Sequence, residues 1–334
     1  MRKSDSVLII YTGGTIGMYK TNEGSLRPFD LDTLSMQIPE LNTFDIDINT
    51  KTITQPIDSS NMCKEVWIQL VEIIEKEYNN YNGFVILHGS DTMAYTASAL
   101  SFMLENLNKP IILTGAQLPI GVLRTDAKEN IITSIEIASK GNIPEVCVYF
   151  EYRLMRGNRC TKANAEHFEA FKSPNFIYLA EAGLEIKYSP IKYDRTNKNL
   201  KVHTNLSDDV LILKLFPSMK KEFITKVLDM PYQGIILETF GAGNAPTAKW
   251  FLRAIQTAID NGKLILNVSQ CLSGSVSQGL YETSSKLGEL GVISGKDMTT
   301  EAALTKMMYL LGTDYSLKEK KQQLLISLRG ELSN

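Results

Sequence analysis

At 334 residues the chain is long enough for two domains, each with its own core. Hydrophobic residues make up 43% and charged residues 22%, an ordinary globular balance, and a net charge of −2 with no basic stripe argues against a nucleic-acid surface. No stretch is apolar for long enough to span a bilayer, and the five apolar residues before Thr12 are too few for a signal segment. A cytoplasmic protein without membrane contact is the expectation.

The first apolar run, Val7-Leu8-Ile9-Ile10-Tyr11, reads as a strand buried on both faces, and it ends in Thr12-Gly13-Gly14-Thr15. Residues 20–28 are polar loop formers placed just after Thr15, a candidate lid. Residues 44–53 alternate like a half-exposed strand, and 63–78 have helical periodicity. A second buried-type run, Phe84-Val85-Ile86-Leu87, closes on His88-Gly89-Ser90-Asp91-Thr92. A helix over 91–106, a strand over 110–113, a helix over 126–139 and a strand over 146–150 follow. The polar stretch 188–209 lacks a sustained apolar period and reads as a linker. Beyond it come strand 210–216, helix 220–228, strand 234–239, helix 246–261, strand 263–268 and helices over 299–311 and 317–328. Strands alternating with helices predict an α/β fold: a larger domain over 1–187 with a mostly parallel sheet and a smaller parallel one over 210–334.

In open α/β sheets ligands sit beyond the carboxyl ends of the strands. Two strand ends therefore deliver Thr15, Ser90, Asp91 and Thr92 to one rim. Hydroxyls, a carboxylate and glycine-freed backbone N–H groups fit attack on a polarised carbonyl. The first turn has neither the Gly-Lys-Ser/Thr of a phosphate loop nor the spacing of a dinucleotide fingerprint. Taken alone, Ser90-Asp91 and Asp58-Ser59-Ser60 both read as helix caps, but beside the Thr15 turn a functional reading of Ser90-Asp91 overtakes capping. Arg156-Gly157-Asn158-Arg159-Cys160-Thr161-Lys162 reads either as a solvated basic loop or as the source of a lysine base or relay. Leu113-Thr114-Gly115-Ala116-Gln117, residues 238–244 and residues 267–274 repeat the polar strand-end theme, and are expected to line the same cleft. Cys63, Cys147, Cys160 and Cys271 are scattered and read as free thiols. His88, His167 and His203 lie far apart, so no metal site is expected.

The segments Tyr11–Gly17, Val85–Thr96 and Arg156–Lys162 together resemble the bacterial L-asparaginase/glutaminase family, in its cytoplasmic type I branch. The likeness continues through residues 238–246, Gly291–Gly295, Asp297–Thr299 and Leu328–Leu332. It implies a two-domain asparaginase-like fold and a hydrolase, an amidohydrolase that turns L-asparagine into L-aspartate and ammonia without metal or organic cofactor. It assigns Thr15 as the threonine nucleophile. Ser90, Asp91 and Lys162 match a set in which the lysine activates the second hydroxyl and Asp91 binds the substrate amine. Asp58, Ser59 and Ser60 match a loop that grips the α-carboxylate and amine. Asn244 matches an asparagine that reaches a neighbouring subunit's site, which implies a homodimer or homotetramer with shared active sites.

The chain departs from the family pattern at three places. Ser90 stands where the family has threonine. Ser25 follows Gly24 where the lid supplies a tyrosine, leaving Tyr19 or Tyr281 as substitutes. Glu238 occupies the position of an arginine that serves a second, regulatory asparagine site in some type I members, so that regulation is not carried over despite Thr161 and Cys271. The competing readings are a glutaminase or dual amidase, the amidase subunit of a tRNA-charging amidotransferase, and a non-catalytic amino-acid-binding protein. The subunit carries an extra N-terminal domain, for which Thr15 lies too near the start.

Overall fold

The computed structural model describes residues 5–14, 16, 18–20, 26–28, 31–193, 195–279 and 282–333. The chain divides into two compact units, Met1–Thr204 and Asn205–Asn334.

The first unit is built on an eight-stranded sheet. Its strands are β1 (Asp5–Tyr11), β2 (Ile46–Thr52), β3 (Gly83–Leu87), β4 (Ile111–Thr114), β5 (Val146–Phe150), β6 (Arg153–Arg156), β7 (Ala180–Ala182) and β8 (Ile186–Tyr188). Their spatial order is β8-β7-β6-β5-β4-β3-β1-β2. From β2 to β5 all neighbours are parallel, whereas β6, β7 and β8 are added antiparallel. The sheet is therefore mixed, and periodicity alone did not reveal its antiparallel edge. Those strands are short and their apolar runs are broken by Arg153, Arg156, Glu181 and Lys187.

Side chains alternate across a strand, so a run buried at every position must be covered on both faces. Val7, Ile9, Tyr11, Val85, Leu87 and Ile112 form one core with Ile131, Ile135 and Ala138 of the helix Ala127–Lys140. The alternate positions Leu8, Ile10, Phe84, Ile86, Ile111 and Leu113 are fully buried as well. Each such side chain taken out of water contributes about 1.5–3 kcal/mol. That rigidity is what holds the strand ends in place.

The chain runs from β1 outward to β2, then returns past β1 to β3 and continues to β4 on the other side. The connections leaving β1 and β3 thus diverge, and the gap between these two strands is the topological switch point of the sheet.

The second unit holds a four-stranded parallel sheet in sequential order, Val210–Lys214, Gly234–Thr239, Leu264–Ser269 and Ile293–Ser294. Helices Lys221–Asp229 and Lys249–Asp260 supply Ile224, Leu228, Phe251 and Ile255 to its core. The last helix, Leu317–Leu325, begins with a capping box between Ser316 and Glu319. It ends three residues before the expected 328. The N–H groups of Leu328 and Arg329, which a further turn would use, donate instead to the buried Glu331 carboxylate at 2.7–3.0 Å. Glu331 is held there by Lys306, a fully buried cation at 2.6 Å that also donates to the carbonyls of Leu324 and Ile326.

No helix among the described residues is long and apolar enough to cross a membrane. All four cysteines are free, with Cys147 and Cys160 buried.

Candidate active site

The ends of β1 and β3 are stitched together. Thr12 donates from its backbone N–H (3.0 Å) and its hydroxyl (2.9 Å) to the Leu87 carbonyl. Gly13 and Gly14 have φ of +120° and +84°, a region that L side chains rarely adopt. A Cβ on Gly14 would lie 2.6 Å from the Gly89 Cα, and one on Gly13 would run into the Ile57 carbonyl. The two glycine turns therefore pack backbone on backbone. The Thr12 carbonyl accepts from the Ile57 N–H at 2.9 Å, which draws the 57–60 turn to the same rim. Thr15, Gly24, Ser25 and Tyr281 lie outside the described residues, as does most of the candidate lid.

Asp58 and Ser60 are exposed and Ser59 is buried. Asp58 Oδ1 accepts from the Ser60 N–H at 2.8 Å and the Ser60 hydroxyl at 2.7 Å. These bonds hold the Asp58 carboxyl below its ordinary range. Asp58 is thus the N-cap of the short turn Ser59–Asn61, the capping role that its sequence context allowed. The Ser59 carbonyl accepts from the Thr92 hydroxyl at 2.6 Å, tying this turn to the β3 end.

Ser90 and Asp91 do not cap a helix. The helix expected from 91 starts at Met93, and Thr92 takes the N-cap position. Ser90 and Asp91 instead meet Lys162. The lysine Nζ donates to Ser90 Oγ at 2.9 Å and to Asp91 Oδ1 at 2.6 Å, across more than seventy residues of chain. Lys162 is 18% exposed and Asp91 64% exposed, so the pair opens to solvent on the carboxylate side.

The basic segment 156–162 is not a solvated loop. Arg156 makes a two-pronged pair with Glu145 (2.6 and 2.7 Å) and lies over the Phe176 ring. Arg159 is buried and donates to the Asn175 carbonyl at 2.8 Å. Lys162 lies in a two-residue strand, Thr161–Lys162, paired with Phe171–Lys172. With both arginines held elsewhere, Lys162 is the cation of this segment that meets Ser90 and Asp91.

Behind Ser90, buried His88 supports the turn. Its Nδ1 lies 2.6 Å from the Gly89 carbonyl, which can only accept, so Nδ1 carries the proton. Nε2 must then accept from the Thr96 hydroxyl at 2.9 Å, and Thr96 accepts from the Trp67 indole at 3.0 Å. Burial pushes the His88 pKa down to about 4. The folded value lies below the ordinary 6.5, so the unfolded chain binds this proton first as pH falls. Stability from this source is complete above pH 6.5 and is lost progressively down to about pH 4, to a total of about 3 kcal/mol. Unfolding in urea between pH 7 and 4 should show this loss. His88→Asn, which takes up no proton there, should give a flatter curve, and parallel curves would remove His88 as the titrating group.

Two residues near this rim carried little sequence signal. His88 was visible only as part of the second strand-end motif. Gln117 belongs to the echo at 113–117, and Ser90 Oγ donates to its Oε1 at 3.3 Å. Asn244 belongs to the second unit, where it closes a tight turn with Phe240 through paired backbone bonds of 3.0 and 2.8 Å. Among the described residues, no group of three or more His, Cys, Asp or Glu is placed to hold a metal ion. The assembled groups offer a hydroxyl, a cation and a carboxylate at one strand-end rim, a set suited to binding an amino acid and moving a proton at a carbonyl centre.

Comparison with known proteins gives the same direction. Residues 6–193 match the family model "Asparaginase, N-terminal" and residues 209–324 match "Glutaminase/Asparaginase C-terminal domain". The chain is 41% identical to L-asparaginase 1 of Escherichia coli (strain K12) over 331 residues, 98% of each chain. It superposes on the crystal structure of L-asparaginase I from Vibrio cholerae with a TM-score of 0.92 and 39% identity, covering 99% of this chain and 100% of that one. The thermostable L-asparaginase from Thermococcus kodakarensis gives the same TM-score at 32% identity, covering 98% and 99%. Matched in both halves and along its whole length, the chain belongs to the asparaginase family and is an amidohydrolase.

Proposed function

We propose that the chain hydrolyses the side-chain amide of L-asparagine, releasing L-aspartate and ammonia, in the cytoplasm. The contact of Lys162 with both Ser90 and Asp91 beside the switch point carries this reading. The names of the relatives agree with it. Asp91 holds the substrate α-ammonium, with Asp58, Ser59 and Ser60 at the substrate's amino-acid end. Thr15 attacks the amide carbon, and backbone N–H groups at the two glycine turns stabilise the oxyanion. Lys162 and Ser90 form the proton path. Lys162 is a donor to Ser90 in the resting geometry, so it must give up a proton before it can take one from that hydroxyl. Asn244 completes the site of a neighbouring subunit, which makes a dimer or tetramer the active form; a monomer that sedimented alone and turned over would overturn this.

The test is ammonia release from asparagine and from glutamine. A glutamine side chain carries one methylene more, which is worth only about 1–3 kcal/mol in binding. It also moves the amide away from the nucleophile, and small misplacements cost rate. Asparagine should therefore have the higher kcat/KM, by about tenfold or more. Equal values would make the chain a dual amidase, and binding of asparagine without ammonia release would make it an amino-acid-binding protein.

A further inference from the structure

Gln117 is assigned no role by its motif or by the family resemblance, yet it is held firmly. Its backbone N–H donates to both carboxylate oxygens of Asp126, at 3.1 and 3.0 Å. Asp126 also accepts from the Leu118 N–H at 3.2 Å and from the Asn130 amide at 3.3 Å. The main chain at this position is thereby pinned to the start of the helix Ala127–Lys140.

The side-chain amide is just as constrained. One end faces the carbonyls of Ala165 and His167, both at 3.1 Å. Carbonyls only accept, so that end is the NH2 group and the amide oxygen must face Ser90. The two carbonyls are themselves preset. Asn164 Oδ1 accepts from the N–H groups of Glu166 and His167 at 2.8 and 2.9 Å, and Ala163 and Asn164 donate to the Ala170 carbonyl.

This orientation settles the proton of Ser90. Its hydroxyl has one hydrogen, and the amide oxygen of Gln117 can only accept it. A lone pair of Ser90 Oγ is then left for Lys162, in agreement with the lysine acting as donor at 2.9 Å. A serine side chain has three staggered χ1 wells and a freely turning O–H, whereas the methyl group of threonine restricts χ1. We propose that Gln117 is a positioning residue for the Ser90 hydroxyl: it holds Oγ in the χ1 well beside Lys162 and takes the hydroxyl hydrogen in the resting state, and the O–H turns from Gln117 to Nζ once Lys162 has given up a proton. It supplies the restriction that a β-branched side chain at position 90 would supply for itself. The inference rests on the reading that Ser90 and Lys162 take part in amide hydrolysis.

The experiment is a double-mutant cycle between Gln117→Met and Ser90→Thr, read as kcat and KM for asparagine and as melting temperature. The Ser90–Gln117 contact is longer than the usual 2.7–2.8 Å between hydroxyl donor and oxygen. The expected effect is accordingly moderate. Gln117→Met in the parent chain should lower kcat by about tenfold with KM changed by less than about twofold. In the Ser90→Thr background the same change should lower that background's own kcat by less than about threefold. The melting temperature should fall equally in both backgrounds, because the tie to Ala165 and His167 is lost in both. Equal fold-losses of kcat, no loss in the parent chain, or a change confined to KM would each overturn the assignment. If Gln117→Met does not fold, Gln117→Asn carries the same cycle, since it keeps the backbone bonds to Asp126 and is one methylene too short for Ser90. A parent chain that releases no ammonia from asparagine would overturn both this inference and the reading beneath it. An active parent with equal losses would overturn this inference alone.

Discussion

Thr15→Ala should abolish ammonia release, by at least about a thousandfold in kcat, while the protein stays folded. Thr15 follows a glycine turn whose backbone conformation is imposed by Gly13 and Gly14, not by the threonine side chain. The turn is tied down by Thr12, Ile57 and the approach of Gly14 to Gly89. Removing the hydroxyl and methyl group of Thr15 leaves all of these backbone contacts in place. The loss should therefore fall on turnover, with circular dichroism and melting temperature near those of the parent. Near-normal turnover by folded Thr15→Ala protein would remove the nucleophile assignment. Ser90 would then be the hydroxyl to test next.

Lys162→Met should lower kcat by about a hundredfold to ten-thousandfold. Methionine keeps much of the aliphatic stem but cannot donate to Ser90 or pair with Asp91. The stability cost should be small for a broken ion pair. Asp91 is 64% exposed, so water resolvates the carboxylate once the lysine is gone. A large rate loss with little change in melting temperature separates a proton-relay role from a structural one. Lys162→Arg should not restore the rate, because guanidinium stays charged at every accessible pH and places its donors in a rigid fork. Parent-level kcat in Lys162→Met would reduce the lysine to a charge that merely balances Asp91.

The sequence read well wherever a local rule decided the outcome. Runs such as Val7–Tyr11 and Phe84–Leu87 are buried along their length because their sheet is covered on both faces, and continuous β-branched and aliphatic runs report that directly. The strands Val146–Phe150 and Gly234–Thr239 end at their expected residues for the same reason. Helix ends were less accurate where a distant group intervened. Glu331, paired with buried Lys306, takes the N–H groups that would extend the last helix, and no pattern near residue 325 announces it.

Composition, apolar period and strand-end motifs determined by themselves that this is an α/β protein with hydroxyls, a carboxylate and glycines at its strand ends, and the family resemblance rests on the same residues. Tertiary structure alone decided what those groups do to one another. The adjacency of β1 and β3, with connections diverging from them, puts their shared end at the switch point where open α/β sheets take a ligand, and strand order is not written in any local run. Capping and catalysis ask for the same residue types before a helix. Ser90 and Asp91 were separated from the capping reading because the helix starts two residues later and Lys162 stands against both side chains. Asp58 caps its turn, as its local sequence also allows. Gln117 was unreadable as a partner of Ser90 because a side-chain amide gains its direction from what surrounds it, here two carbonyls about fifty residues along the chain.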